Sequence, residues 1–209
     1  MYKAMLAYPG QREDLERESF VYEPKLDGTR ALCYKDGRIR FVNRRERDIT
    51  ARYPELDISS SILAKTCVLD GEIVVFDDRG NPSFHLLQKR EQASPTVYHL
   101  RSGQHPATYV VFDILNVDGK DLTMQPLGER RKVLERTVID GPFMRIIVQT
   151  PDGRKLWDLI VERGVEGVMA KKVNGHYEQG IRSRQWLKIK TKQTDDCVIV
   201  GFTHEKRAI

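Results

Sequence analysis

The chain has 209 residues, of which 40% are hydrophobic and 31% are charged. This composition is that of a folded domain with its own core and excludes a disordered polymer. No apolar run reaches the roughly 20 residues that span a bilayer, and no charged start precedes an apolar stretch, so we expect a cytoplasmic protein with no membrane partner, acting as a monomer. The formal net charge of +5 favours polyanionic partners such as nucleic acid or nucleotide phosphates.

Short strand patterns dominate the chain. In chain order they cover residues 20–22, 30–34, 39–42, 67–76, 107–115 and 197–202. Asp36-Gly37 separates the second pattern from the third and predicts a hairpin turn. Helical spacing is clearest over 127–138 and 156–163, where Gly164 ends the second helix. The irregular order of strands and helices favours an α+β domain with largely antiparallel sheets flanked by helices over a doubly wound sheet.

The sequence changes in character near its C-terminal end. Residues 195–209 contain one strand pattern, and a single strand cannot form a domain. We therefore predict one domain over 1–194 and the opening strand of a second domain, or a linker, over 195–209; alternatively, this strand closes the first domain's sheet. The cysteines, Cys33, Cys67 and Cys197, are odd in number and form no CxxC pair, which indicates a reducing compartment and buried thiols.

A charged cluster, Glu-Pro-Lys-Leu-Asp-Gly, follows the first strand pattern. In an extended chain Glu23, Lys25 and Asp27 would point to the same side. A lysine that attacks phosphorus must be neutral, and lysine loses its proton in a desolvated site whereas arginine does not. Lys25 is therefore a candidate nucleophile, and the alternative is a solvent-facing charged strand.

Two further motifs place candidate binding residues inside apolar strand patterns. Asp70 and Glu72 would share one face, where they contact a ribose hydroxyl or a metal-bound water, or else form a salt bridge at a sheet edge. Phe112 lies in a nearly continuous apolar run, so it is either a core residue or a ring that stacks on a purine. Alternation in Trp-Leu-Lys-Ile-Lys puts Lys188 and Lys190 on one face, which suits a polyphosphate but is also typical of an edge strand.

Taken in order, Lys-x-Asp-Gly, Asp-Gly-Glu, Phe-Asp-Ile-Leu, Glu-Gly-Val-Met-x-Lys and Trp-Leu-Lys-Ile-Lys resemble the motifs of the covalent nucleotidyltransferases. This superfamily contains ATP-dependent DNA ligases, RNA ligases and mRNA capping enzymes. The resemblance spans Glu23 to Lys190 and implies a nucleotidyltransferase (ATP-grasp-like) fold with a nucleotide cleft between its sheets. It also implies that Lys25 carries a covalent AMP taken from ATP.

The resemblance assigns the other nucleotide contacts. Glu23 would read the adenine amino group, Arg30 would contact ribose or phosphate, and Phe112 would stack on adenine. Further contacts to the nucleotide and its phosphates would come from Arg44, Glu72, Lys171, Lys188 and Lys190. Glu72 and Glu166 would be the carboxylates for Mg²⁺ (or Mn²⁺), and Asp27 would act near the attacking 3′-hydroxyl or a metal.

The sequences of residues 113–122, 126–131 and 180–186 resemble those of DNA ligases. They are most similar to the compact ligases of bacterial and archaeal end joining. The implied partner is nicked double-stranded DNA, whose 5′-phosphate receives AMP before the 3′-hydroxyl displaces it. A positive surface would contact the DNA backbone through Arg44, Arg45 and Arg47, although such a run is also typical of a solvated hairpin. These ligases carry a C-terminal OB-fold domain, so we expect the chain alone to adenylate itself slowly unless that domain or other repair modules act with it.

Two rival functions follow from the same residues. An RNA ligase or a capping-type guanylyltransferase would share the nucleophile and the lysines, although Glu23 as a hydrogen-bond acceptor favours adenine. A catalytically silent nucleic-acid-binding module would keep the fold alone. Competent residues at every matched position argue against the silent module.

Overall fold

The computed structural model of the protein describes residues 1–191. Within this range the strands are β1 (Leu6–Pro9), β2 (Phe20–Pro24), β3 (Thr29–Asp36), β4 (Arg38–Asn43), β5 (Thr66–Val75), β6 (Ala107–Val117), β7 (Lys120–Asp121), β8 (Met144–Ile146), β9 (Gly167–Lys172) and β10 (Arg182–Lys190). The α-helices are α1 (Phe84–Glu91), α2 (Tyr98–Gln104), α3 (Leu127–Thr137) and α4 (Gly153–Glu162).

The strands form two sheets. Sheet A has the order β1-β10-β9-β2, and sheet B has the order β4-β3-β5-β6-β7 with β8 also paired to β6. Most neighbours are antiparallel, and the parallel pairs are β1 with β10 and β6 with β8. The predicted α+β class with largely antiparallel sheets is therefore confirmed. Because β10 has a neighbour on each side, the alternative of a lysine-bearing edge strand is wrong.

Three apolar clusters hold the layers together. One cluster lies between sheet B and helices α1 and α3, where Leu87 and Leu134 are buried. A second joins the facing surfaces of the two sheets, with Phe112 from sheet B against Trp186 from sheet A. The third packs sheet A on α4 through Ile160. Each such side chain stabilises the fold by about 1.5 to 3 kcal/mol, and the second cluster fixes how the two sheets face each other.

The predicted strands up to residue 115 all exist, and their bounds differ from the prediction by a few residues. The predicted hairpin joins β3 and β4 around Gly37, and the two predicted helices correspond to α3 and α4. Helices α1 and α2 were not predicted, because α1 carries too few apolar residues to show a helical period; it begins where the Ser83 side chain accepts a hydrogen bond from the Leu86 backbone.

Two sequence predictions fall on residues outside the described range. The strand at 197–202 and the further domain or linker over 195–209 both lie beyond residue 191, so they stay predictions. Among the described residues, Cys33 and Cys67 are buried free thiols, as predicted. No helix in this part of the chain is long and apolar enough to cross a membrane.

Candidate nucleotide-binding cleft

A cavity of about 240 Å³ lies between the two sheets. Its lining combines cations, two carboxylates, two aromatic rings and apolar side chains from both walls. The structure brings to this cavity all the residues predicted to contact a nucleotide, namely Glu23, Lys25, Arg30, Arg44, Glu72, Phe112, Lys171, Lys188 and Lys190. Asp27, Glu166, Arg45 and Arg47 are absent from the lining of this cavity.

Lys25 lies in the loop that follows β2. The strand ends at Pro24, and of the three residues expected to point to the same side, Glu23 and Lys25 line the cavity whereas Asp27 does not. The Lys25 backbone N–H donates to the Gly167 carbonyl at 2.8 Å, which ties the loop to β9. Gly28 completes the loop at a point where a Cβ atom would lie 2.4 Å from the Ile73 carbonyl oxygen, so this position requires glycine.

Glu166 connects two of the lysines behind the cavity. Its carboxylate contacts Lys25 Nζ and also Lys190 Nζ, the latter at 2.7 Å. Burial works to raise the pKa of Glu166, but hydrogen bonds from Lys190 and Lys25 outweigh it and lower the pKa. Asp27 is exposed, and its pKa is raised by partial burial and by the nearby charge of Glu166. Glu166 therefore carries a negative charge that holds both ammonium groups.

Glu23 lines the end of the cavity that also holds Lys171 and Phe112, and it is 1% exposed. Its Oε2 forms an ion pair of 2.6 Å with Lys171, which is equally buried, and its Oε1 accepts a hydrogen bond of 2.6 Å from the Gln149 amide. Burial lowers the pKa of Lys171, partly offset by Glu23. The Lys171 ammonium lies 4.1 Å from the centre of the Phe112 ring, so this end combines an acceptor, a cation and an aromatic ring.

Arg30 closes the wall formed by sheet B. Its guanidinium binds both oxygens of Asp70, at 2.7 and 2.5 Å, and Asp70 also accepts a 2.5 Å hydrogen bond from the Tyr177 hydroxyl. Asp70 therefore forms a salt bridge, which was the alternative to a ligand contact. The bridge lies on an interior strand, however, and not at a sheet edge. The pKa of Arg30 is raised by Asp70 despite its burial, so the guanidinium stays charged beside the cavity.

Glu72 has the opposite environment although it lies only two residues from Asp70. It faces the cavity, and burial raises its pKa to about 8 even though Arg30 and Lys25 work in the other direction. Glu72 is half-buried and forms no ion pair in the described part of the chain, so it can accept from a hydroxyl donor or bind a cation. Of the two acids in the Asp-Gly-Glu motif, Asp70 thus has a structural role and Glu72 faces the cavity.

The remaining predicted cations differ in whether they face the cavity or the solvent. Lys188 faces the cavity, and its pKa is lowered first by partial burial and then by repulsion from Arg182, Lys190 and Lys25. Arg44 is exposed and contributes to the cavity rim. Arg45 and Arg47 are exposed on the turn after β4, where the Asn43 side chain accepts hydrogen bonds from both backbone amides.

Sequence reasoning did not identify several residues at this site. Ile147, Met169 and Arg182 line the cavity, and Gln149 binds Glu23. Ile147 and Gln149 carry no motif in the sequence, because their position depends on the segment after β8 running from sheet B to sheet A. Strand alternation could have found Met169, which lies opposite Glu23 in the pairing of β2 with β9.

Two facing sheets with this lysine-bearing cleft between them define a nucleotidyltransferase domain. A family model described as "ATP dependent DNA ligase domain" matches residues 4–190. The chain belongs to this ATP-dependent DNA ligase family.

Named relatives agree with this assignment. The chain is 31% identical over 195 residues to the SPbeta prophage-derived DNA ligase-like protein LigB of Bacillus subtilis, covering 92% of this chain and 68% of LigB. It is 32% identical over 204 residues to the multifunctional non-homologous end joining protein LigD of Mycolicibacterium smegmatis, covering 96% of this chain and 25% of LigD. The chain therefore spans only part of the length of these relatives.

Solved structures show the same fold. The structure of mycobacterial DNA ligase D complexed with ATP and MES is similar with a TM-score of 0.76 and 32% identity, covering 90% of this chain and 60% of that one. The ligase domain of LigD from M. tuberculosis is similar with a TM-score of 0.75 and 32% identity, covering 90% of this chain and 59% of that one. The predicted nucleotidyltransferase fold is confirmed.

Proposed function

We propose that this chain is the catalytic domain of a DNA ligase in which Lys25 takes AMP from ATP and passes it to the 5′-phosphate of nicked double-stranded DNA. The observation that carries the proposal is that one cavity brings the Lys25 amine together with the residues a nucleotide requires. Glu23 and Phe112 form its adenine-type end, and Lys188 and Lys190 supply cations to the same cavity.

The adenine-type end provides the contacts that a purine requires. Glu23 is an acceptor for the adenine amino group, and Phe112 offers a flat apolar face whose stacking contributes about 1 to 3 kcal/mol in base-binding sites. Glu72 would accept from a ribose hydroxyl, and Arg30 is held nearby as a fixed cation by Asp70. These contacts would place the triphosphate toward Lys25.

Attack by Lys25 forms a bond between Nζ and the α-phosphorus and breaks the bond to the β-phosphate oxygen, so pyrophosphate leaves. The amine first has to lose its proton and exchange its contact with Glu166, which pairs with the ammonium form. Lys188 and Lys190 would stabilise the charge on the leaving pyrophosphate. Repulsion between Lys188 and its cationic neighbours favours binding of such a polyanion.

A divalent ion, Mg²⁺ or Mn²⁺, would be held by Glu72, which lines the cavity, and by Glu166, which contacts Lys25 beside it. The described residues contain no group of three or more side chains that could hold a metal alone. Glu72 and Glu166 would therefore hold the ion together with substrate phosphates, as Mg²⁺ commonly binds in nucleotide enzymes. When bound, the ion would neutralise phosphate charge during transfer.

The exposed basic residues would bind the DNA. Arg44 lines the cavity rim and would contact the nick phosphate, while Arg45 and Arg47 would contact the backbone without reading sequence. Asp27 is exposed near Lys25 and Lys190, and we propose that it acts on the attacking 3′-hydroxyl. The likeness to LigD proteins supports a role in end joining, and an OB-fold domain or other repair modules are the partners we propose.

The experiment is transfer of label from α-³²P-ATP to the purified chain in the presence of Mg²⁺. We expect a covalent label that survives denaturing gels and alkali but is released by acid, as a bond between phosphorus and nitrogen is. Lys25→Ala and Lys25→Arg should both lose the label; Arg is the matched control because it keeps the charge but does not deprotonate.

Further arms separate the rival functions. Labelling by GTP in preference to ATP would support a guanylyltransferase, and joining of nicked RNA in preference to nicked DNA would support an RNA ligase. Absence of label with either nucleotide, with or without an added OB-fold domain, would support the silent nucleic-acid-binding module and overturn the proposal.

A further inference from the structure

The segment that follows β8 crosses from one wall of the cleft to the other. At its start, the Ile147 backbone N–H donates to the Val111 carbonyl of sheet B at 2.9 Å. At its end, Thr150 exchanges two backbone hydrogen bonds with Tyr22 of sheet A, at 2.8 and 3.0 Å. Residues 147–150 therefore form a bridge between the two sheets at the adenine-type end of the cavity.

The alternation of the bridge turns Gln149 to the same side as Ile147, where it reaches Glu23. Ile147 lines the cavity, whereas Val148 between them is 74% exposed, as expected when alternate side chains of an extended segment point to opposite sides. The Gln149 amide donates to Glu23 Oε1 at 2.6 Å. This bond joins a side chain of the bridge to the buried carboxylate proposed above as the adenine contact.

Both oxygens of Glu23 are thereby oriented. Oε2 is held by Lys171 at 2.6 Å and Oε1 by Gln149, and the carboxylate is almost fully buried. A carboxylate oxygen has two acceptor sites, so each keeps one site free after these contacts. Without Gln149, Glu23 would keep a single side-chain partner among residues 1–191 and would be free to turn about its last torsion angle.

We infer that Gln149 is a purine-specificity residue that acts through Glu23. By fixing the carboxylate, it presents an acceptor to the amino group at position 6 of adenine and an unfavourable negative charge to the carbonyl oxygen that guanine has there. Gln149 is thus a positioning residue and not a catalytic one. The inference rests on the proposed function, because it assumes that the cavity binds a purine nucleotide with Glu23 at position 6.

The test compares nucleotides that differ at position 6. Label transfer, or depletion of unlabelled nucleotide, is measured with ATP, with purine riboside triphosphate, which lacks the 6-amino group, and with GTP. The variants are Gln149→Met, which keeps the length and removes the donor, and Gln149→Ala as a second variant should the first fail to fold. The matched control is Gln185→Met, a partly buried glutamine of β10 that does not line the cavity.

We expect Gln149→Met to lower the preference for ATP over purine riboside triphosphate by on the order of tenfold, which corresponds to one charge-assisted hydrogen bond. The loss should appear mainly as a higher ATP concentration for half-maximal labelling rate, while the limiting rate constant changes little and Gln185→Met leaves the preference unchanged. An unchanged preference, even with lower rates for all nucleotides, would show that Gln149 is merely structural and would overturn the inference.

Failure of the proposed function would look different. If the unmodified chain takes no label from ATP, the covalent step is wrong, but the inference can still be measured as the ratio of the Kd for α,β-methylene-GTP to the Kd for α,β-methylene-ATP. A ratio that Gln149→Met lowers would support the inference in that case, and an unchanged ratio would refute it.

Discussion

Tyr177→Phe tests how the back wall of the cleft is held. The Tyr177 hydroxyl donates to Asp70 at 2.5 Å and accepts from the Met5 backbone N–H at 3.0 Å. Both side chains are buried, with Asp70 fully so. The substitution removes only the hydroxyl, so the edge-to-face contact of the ring with Trp186 remains.

The expected cost follows from the two lost bonds. A hydrogen bond to a charged group contributes about 1.5 to 3 kcal/mol, and a buried backbone N–H left without a partner costs about 1 to 3 kcal/mol. The two effects are not strictly additive, so we expect the free energy of unfolding to fall by about 3 to 5 kcal/mol. In a chain of this size the fall corresponds to a decrease in Tm of roughly 10 °C.

Urea denaturation and thermal unfolding measure this change, with Tyr8→Phe as the matched control. No hydrogen bond to the Tyr8 hydroxyl occurs within residues 1–191, so its loss should change stability by less than about 0.5 kcal/mol. Because Arg30 keeps both bonds to Asp70, the initial rate of label transfer at 20 °C should stay within about threefold. A cost below about 1 kcal/mol would refute the reasoning.

Three other outcomes are expected. Asp113→Asn should lower the free energy of unfolding by about 3 to 5 kcal/mol in urea titrations, since it leaves Arg130 buried without its carboxylate; a change under 1 kcal/mol would contradict this. Thr29→Val should reduce label transfer severalfold with a small change in Tm, because it removes the 2.7 Å bond to Glu91 that anchors the loop after Lys25; unchanged kinetics would show that the bond is dispensable. Burial raises the pKa of Cys67 to about 12. In a variant whose other cysteines are replaced, the logarithm of the alkylation rate of Cys67 should therefore keep rising with pH beyond 9. A plateau of this rate near pH 8.5 would mean an exposed thiol.

Much of the fold followed from local patterns. The strands β3 to β6 and the helices α3 and α4 have periodic apolar positions, and their existence depends mainly on which residues alternate or recur every three to four positions. Helices α1 and α2 lack such a period, and their placement depends on contacts with other elements. Arg90 of α1, for example, is buried against Glu55 at 2.7 Å, a pairing that local sequence does not indicate.

The candidate site was predictable in its residue types but not in its pairings. The sequence predicted that Asp70 and Glu72 share a face, but only the packing of Arg30 and Tyr177 directs Asp70 to a structural role and leaves Glu72 in the cavity. Glu166 was predicted as a metal carboxylate, which stays a prediction, and only the structure shows that it pairs with Lys25 and Lys190.

The sequence alone determined the order of the motifs, the lysine of the cleft and the alternation that puts Lys188 toward it, since each depends on neighbours a few residues away. Only the tertiary structure decided which partners the buried charges find. Gln149 and Glu23 are 126 positions apart, and they meet because the bridge after β8 joins the two sheets. A buried carboxylate is hydrogen-bonded by the donors that lie within about 3 Å of it. Which donors these are depends on how the sheets pack together, and not on neighbouring residues in the sequence.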